Sequence, residues 1–304
     1  MPEATRLRRL DTALAWAQQQ GLPRLEAQML LLHTLGRSPH DRAWLLAHDG
    51  ESLSAAAWDS FERLCQRRLA GEPVAYLTGH KAFYGLDLQI NAQVLDPRPD
   101  TETLVDWALD VMKAQARPSI VDLGTGSGAI ALALKAQRPD SSITAVDASP
   151  QALQVARHNA QRLNLPITLH QGNWLEGLAG RFDLIASNPP YIAEDDPHLA
   201  ALQHEPRMAL ASGPDGLDAI RSIITQAPAH LHPGGWLLLE HGYAQAPTVC
   251  QLLQVAGFTQ VHSRSDLAGH ARCSGGCFAQ PPERQATPCP DAAGLPNAPD
   301  GTRT

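Results

Sequence analysis

Lysine is nearly missing from this 304-residue chain: Lys81, Lys113 and Lys135 are the only ones, so the 24 basic residues are almost all arginine. Against 31 acidic residues they leave a formal net charge of -7. A chain of that balance has no overall electrostatic footprint for duplex nucleic acid, although a local basic patch stays open. No apolar run reaches membrane-spanning length, and Arg6, Arg8 and Arg9 precede no continuous apolar core. The expectation is therefore a cytoplasmic protein without a leader or a membrane segment. Cysteines are few, odd in number and scattered (Cys65, Cys250, Cys273, Cys277, Cys289), which excludes a disulfide framework and fits reduced thiols. His270, Cys273 and Cys277 fall close together, but no second Cys or His pair completes a four-ligand set, so no metal is expected. Internal repeats are absent as well.

What is present falls into blocks. Hydrophobic residues make up 43% of the chain, enough for a sizeable core. Residues 1–78 read as helical. Leu7, Leu10, Leu14 and Ala17 repeat at helical spacing, Leu25, Met29, Leu32 and Leu35 resume it, and Ser54 can cap a helix running to Leu69. Nine arginines balance nine acidic residues there, which suits protein docking better than a nucleic-acid arm; a purely structural role is equally compatible. Residues 79–99 form a linker whose stretch Ala82–Ile90 alternates around Gly85 as a hairpin. Asp100 is expected to cap a helix over Thr101–Ala114.

From residue 100 to 280 strands and helices alternate. Ile120–Asp122, Ile143–Asp147, Ile167–Gln171, Leu184–Ser187 and Gly235–Glu240 read as strands. Helices are expected over Gly128–Gln137, from Ser149-Pro150 to Leu163, over Asp218–Leu231 and over Gln245–Ala256. Phe258–Ser263 and Cys273–Ala279 suit a closing antiparallel pair. The pattern predicts an α/β, doubly wound, Rossmann-like parallel sheet covered on both faces, preceded by a small helical domain. Residues 281–304, rich in Pro, Ala, Gly and Thr, read as a disordered tail.

Two stretches carry chemistry. The first strand runs into Asp122-Leu-Gly-Thr-Gly-Ser-Gly128, where glycines let backbone approach a ligand closely. Asp147, ending the second strand, can hold the two hydroxyls of a ribose. The spacing is Gly-x-Gly-x-Gly, unlike the pattern expected beneath a dinucleotide pyrophosphate, and Asp122 would repel a phosphate but hold a cationic amino group. Both points favour S-adenosyl-L-methionine over a nicotinamide dinucleotide. Trp174, after the third strand, can flank an adenine ring or serve as a core aromatic. The second stretch is Asn188-Pro189-Pro190-Tyr191. Two prolines cannot extend a central strand, so the chain leaves the sheet there in a stiff turn. Such a turn offers an amide, backbone carbonyls and an aromatic face that suit a planar NH2 group, or it simply ends a strand. A methyl donor beside that cradle implies N-methylation. Glu240-His241 reads as the crevice floor.

Asp122–Gly128, Asn188–Tyr191, Glu240-His-Gly242, Gly71-Glu-Pro-Val-Ala-Tyr-Leu-Thr-Gly79 and Pro97-Arg-Pro-Asp-Thr-Glu102 together resemble the release factor glutamine methyltransferase family (PrmC, also called HemK) over roughly residues 5–280. The resemblance implies that Gly124, Thr125, Gly126, Ser127, Gly128, Asp147, Trp174 and Asn188 contact S-adenosyl-L-methionine. It implies that Asn188, Pro189, Pro190 and Tyr191 hold the substrate glutamine, with Asn188, Pro189 and Tyr191 at the reacting centre. That glutamine lies in the Gly-Gly-Gln loop of peptide chain release factors, whose body the helical domain would dock; no direct nucleic-acid or membrane partner is implied. His198–His204, before Glu205-Pro206, is shorter than the family pattern. The competing classes are an amino methyltransferase acting on adenine N6 or guanine N2 of nucleic acid, and a nucleoside-binding protein without catalysis.

Overall fold

The computed structural model describes residues 8–279; Leu7 and the expected tail lie outside the described residues. Helices α1 (Leu10–Gln19), α2 (Arg24–Thr34), α3 (Arg42–Ala47), α4 (Ala55–Leu69) and α5 (Val74–Thr78) come first. Their apolar faces meet in one core that includes Leu10, Leu30, Leu31, Leu45, Phe61 and Leu77. Ser54 caps α4 as expected, its hydroxyl accepting from Ala57 N at 3.1 Å. Sequence reading takes residues 1–78 as helical but names no separate helix after Leu69, where α5 lies. Five residues between Pro73 and Gly79 are too few for a periodic signal, and Gly79 closes the helix in the left-handed conformation.

Strands β1 (His80–Phe83) and β2 (Leu86–Gln89) pair antiparallel around Tyr84-Gly85, the expected hairpin. Both turn residues have positive φ, the tight two-residue geometry that matches strand twist. Phe83 and Leu88 bury themselves with Trp107 on α6 (Glu102–Val111). A short 3-10 turn, Pro99–Thr101, precedes α6 and corrects the expected cap: Asp100 lies inside that turn, and its carboxylate pairs with Arg272 at 3.2 Å.

The remaining elements are β3 (Ser119–Leu123), α7 (Ala129–Gln137), β4 (Ser142–Asp147), α8 (Pro150–Leu163), β5 (Thr168–Gln171), β6 (Phe182–Ser187), α9 (Asp218–His230), β7 (Leu231–Glu240), α10 (Ala246–Val255), β8 (Phe258–Ser265) and β9 (Ala271–Phe278). The seven-stranded sheet has the order β5-β4-β3-β6-β7-β9-β8, parallel through β7 and closed by the antiparallel β9 and β8. Alternate residues of each central strand face opposite layers. Ile120, Leu184, Ala186 and Leu238 pack with α6, α7 and α8, while Val121, Leu123, Ile185, Leu237 and Leu239 pack with α9 and α10. Both faces are thus covered, the doubly wound arrangement that the alternating pattern predicts. Strand β7 begins at Leu231, earlier than Gly235, because a register shift opposite Phe182–Leu184 admits the extra residues. Strand order reverses between β3 and β6, so the carboxyl ends of β4, β3, β6 and β7 open a crevice at the switch point.

Candidate active site

Leu123 leads into the glycine loop, whose backbone is tied down from several sides. Thr125 N donates to Val146 O at 2.9 Å, and Gly128 N donates to Thr125 O at 2.8 Å. Gly124, Gly126 and Gly128 all have positive φ. At Gly128 a side chain would also come within 3.1 Å of Leu132 and 3.4 Å of Ala156, so glycine there lets α7 and α8 close on the loop. Asp147 reaches back to the loop: Gly126 N donates to one oxygen and Ser149 N to the other, both at 2.9 Å. Burial raises its pKa despite these bonds. Ser149 caps α8, with Ala152 N donating to its hydroxyl.

Asp122 is fully buried at the foot of the loop. One carboxylate oxygen accepts from Thr125 Oγ1 at 2.6 Å and from Ala131 N at 3.2 Å. The other is buried with no hydrogen-bond partner among the described residues. Desolvation pushes this carboxyl up to about 7 against the pull of its two donors. An orphaned acceptor at the base of a glycine loop fits a cationic amino group there. Trp174, half-buried, holds a left-handed backbone (φ 57) rarely adopted by bulky residues. Its ring edge would lie 3.4 Å from any side chain on Gly124. It packs against the core layer and borders the glycine loop.

Asn188 follows the last rung of β6, where Ser187 pairs with Leu239. Ser187 Oγ donates to Leu123 O at 2.8 Å, pinning β6 to the start of the glycine loop. Asn188 Nδ2 donates to Thr101 Oγ1 at 3.2 Å, which brings the Pro97–Glu102 segment over the crevice. Pro189 is buried, and Tyr191 is half-buried. Burial and the nearby Glu240 raise the Tyr191 hydroxyl to about 12, so it stays protonated. Beyond the turn Ile192 and Ser212 exchange backbone bonds with Leu210 and Ile192, both at 2.9 Å, and close the intervening excursion.

Several contacts here escaped the sequence. Gln245 Nε2 donates to Tyr191 O at 3.0 Å while its Oε1 accepts from Gly242 N at 2.8 Å, locking the proline turn to the Glu240–Gly242 loop. Gly216 packs against the Tyr191 carbonyl. Fully buried Asn159 bridges Gln89 and Ser127 O, joining the hairpin to the glycine loop. Glu205, nearly buried, takes Arg98 at 2.5 Å, and His204 reaches Ala70 O at 3.1 Å. The His198–His204 segment, a 3-10 turn over Pro197–Leu202, thereby bridges α4 and the crevice rim. A glutamine or asparagine has no motif value by itself, so no local signal marks these.

Glu240 is 1% exposed, and neither oxygen has a partner in hydrogen-bond geometry among the described residues. Desolvation raises its carboxyl to about 7, although Thr101, Arg272 and Asn188 pull it down. His241 is buried too, donating or accepting at Ser274 Oγ over 2.7 Å, and burial lowers its pKa, favouring the neutral ring. Two raised carboxyls have a measurable consequence. The folded chain keeps Asp122 and Glu240 protonated up to about 7, whereas the unfolded chain releases those protons near the ordinary values of 3.8 and 4.5. Their contribution to stability is complete below those unfolded values and fades as pH rises towards 7. Thermal melts from about pH 5 to about pH 8 should therefore show Asp122→Asn and Glu240→Gln gaining on the parent as pH rises, at about 1.4 kcal/mol per pH unit at most for each. A gap independent of pH would show that these carboxyls are ionised in the fold.

Residues 101–213 match the family described as Methyltransferase small domain, and residues 9–79 match the PrmC N-terminal domain. The release factor glutamine methyltransferase of Bordetella pertussis is 51% identical over 260 residues, covering 84% of this chain and 95% of that protein. Its counterpart from Xylella fastidiosa strain Temecula1 is 47% identical over 268 residues, 87% of this chain and 96% of that one. Among solved structures, a methyltransferase from Pyrococcus furiosus superposes with a TM-score of 0.50 at 21% identity, over 71% of this chain and 98% of that chain, a likeness of fold.

Proposed function

This chain belongs to the release factor glutamine methyltransferase family, and from that premise we propose that it methylates the side-chain amide nitrogen (N5) of the glutamine in the Gly-Gly-Gln loop of peptide chain release factors. The carrying observation is Asn188 set beside the glycine loop on the adjacent strand, with its Nδ2 turned to Thr101. S-adenosyl-L-methionine, when bound, supplies an electrophilic methyl group. Gly124–Gly128 would receive it against backbone, Asp147 would take the ribose hydroxyls, Trp174 and Asn188 would flank it, and the free Asp122 oxygen fits its amino group.

Gln245 occupies the Tyr191 carbonyl, so the acceptors for the substrate NH2 are the Asn188 side-chain oxygen and the carbonyls of the Asn188-Pro189 turn. An amide nitrogen is a poor nucleophile because its lone pair is delocalised. Accepting hydrogen bonds from its two protons raises electron density on nitrogen and fixes its direction, while Pro190 and the Tyr191 ring bound its plane. Most of the acceleration then comes from in-line placement. The Tyr191 hydroxyl, held protonated, is no base. The amide proton leaves for solvent after the methyl arrives.

Helices α1–α5 are assigned the docking of the factor body, residues 79–99 the link and residues 100–280 the chemistry. The loop from His198 to Glu205 touches both helical block and crevice. No helix among the described residues is long and apolar enough to cross a membrane, and the reading places the enzyme in the cytoplasm with its substrate. Purified enzyme should transfer radiolabel from S-adenosyl-L-methionine to an intact release factor, and none once the loop glutamine is alanine. Transfer to DNA or ribosomal RNA with a steep salt dependence, and none to the factor, would replace this reading with nucleic-acid amino methylation.

A further inference from the structure

We propose that Glu240 is the positioning residue that fixes which way the Asn188 side-chain amide faces, leaving its oxygen for the substrate NH2. The proposal rests on the reading of Asn188 as an acceptor given above. Ser187 and Leu239 form the last rung between β6 and β7, so Asn188, just past the end of β6, lies beside Glu240, which ends β7 and still pairs with Cys273 on β9. A glutamate at that depth is costly, since it is 1% exposed and Thr101 and Asn188, which lie beside it, fall short of hydrogen-bond geometry. A glutamine of the same shape would cost less, so the acceptor-only character of the carboxylate needs a purpose.

Asparagine presents two similar ends, one donating and one accepting. Thr101 Oγ1, which accepts from Asn188 Nδ2 at 3.2 Å, cannot by itself choose between them, because a hydroxyl both donates and accepts. A carboxylate beside both groups removes the ambiguity. Ionised, it draws the Thr101 hydroxyl into donating to it, which leaves the Thr101 oxygen only its lone pairs towards Asn188 and turns Nδ2 to Thr101. The reversed amide would set its oxygen against the carboxylate. Asn188 Oδ1 is then the end left facing the crevice. The charged and titratable groups around Glu240 are Arg272 and Cys273 on β9, Asp100 in the 3-10 turn and Tyr191 in the proline turn. Arg272 is itself shared between Asp100 and Asp266, each at 3.2 Å, and does not neutralise Glu240 alone.

The test is Glu240→Gln, whose amide can donate as well as accept. Single-turnover methyl transfer should fall by about 10²-fold, as for loss of one preorganised polar contact, while the Kd for S-adenosyl-L-methionine and the KM for the factor stay within about threefold. In the parent the rate should fall as acid protonates Glu240 around neutrality; in Glu240→Gln that limb should vanish, and Glu240→Asp should recover part of the rate. A readout without substrate separates this proposal from the functional one. The Asn188 side-chain amide resonance, identified by its loss in Asn188→Ala, should move with pH in the parent and stay still in Glu240→Gln. If the resonance moves but no factor is methylated, the functional reading fails and the positioning stands. Should Glu240→Gln melt before assay, Thr101→Val interrupts the same relay and should also abolish the acid limb. An unchanged rate and pH profile in either folded variant overturns the proposal.

Discussion

Asn188→Ala should abolish methyl transfer, with single-turnover rates at least about 10³-fold below the parent, while S-adenosyl-L-methionine binds within about fivefold of the parent affinity. The split follows from where the side chain sits. Its amide faces Thr101 and the crevice, and in the proposed site it is one flank of the methyl donor among several, the others being backbone of the glycine loop, Asp147 and the rim at Trp174. Deleting the amide removes an acceptor for the substrate NH2 and lets water enter beside Glu240. It leaves the loop's own bonds to Val146 and Asp147 in place. Calorimetry for the cofactor and rapid-quench kinetics for the transfer read the two effects separately. Turnover that survived the substitution would remove Asn188 from the reacting centre.

The second large effect is expected far from any motif. Gly216 has φ +76, and a side chain there would lie 2.3 Å from the Tyr191 carbonyl oxygen and 2.9 Å from its carbon. Backbone cannot move aside as a flexible side chain does, so Gly216→Ala must push the proline turn outward. Left-handed strain and overpacking together suggest a loss of about 3 kcal/mol, or roughly 6–12 °C in Tm for a chain of this size. Displacing Tyr191 by even part of an ångström should also cut the transfer rate by about tenfold or more in the folded fraction. Gly177→Ala supplies the control. Its φ of +75 is the same, but a side chain there meets nothing within 4 Å, so only the strain of about 1–2 kcal/mol applies and the rate should not change. Equal losses in the two variants would mean that the contact with Tyr191 carries nothing.

What could be read from the chain before its fold was known depended on how local the physics is. The glycine loop, the Ser149-Pro150 helix start, Ser54 as a cap and the two prolines that end β6 each act within a few residues, and each carries its own signal. The strand and helix alternation gave the doubly wound sheet for the same reason. Asp100 shows the limit. By local pattern it is a good cap, yet the chain runs through a 3-10 turn and hands its carboxylate to Arg272 on β9. Thr101 and Asn188 meet across 87 positions of sequence, Arg98 and Glu205 across 107, and Asn159 and Gln89 across 70. No spacing rule reaches that far. Glu240 was visible as a residue beside a histidine at a strand end, but its burial and its nearness to Asn188 needed the register of β6 against β7. The proline turn therefore looked self-sufficient in sequence. In the fold its geometry depends on Thr101, Gln245, Gly216 and Glu240, all from other parts of the chain.

The most direct test of the central claim is the mass of a release factor co-expressed with this enzyme, mapped by fragmentation to single residues. The account predicts one added methyl group, on the glutamine of the Gly-Gly-Gln loop, present with the parent enzyme and missing with Asn188→Ala. A factor that stays unmodified beside folded, cofactor-binding enzyme, or a methyl group found on any other residue, would contradict it.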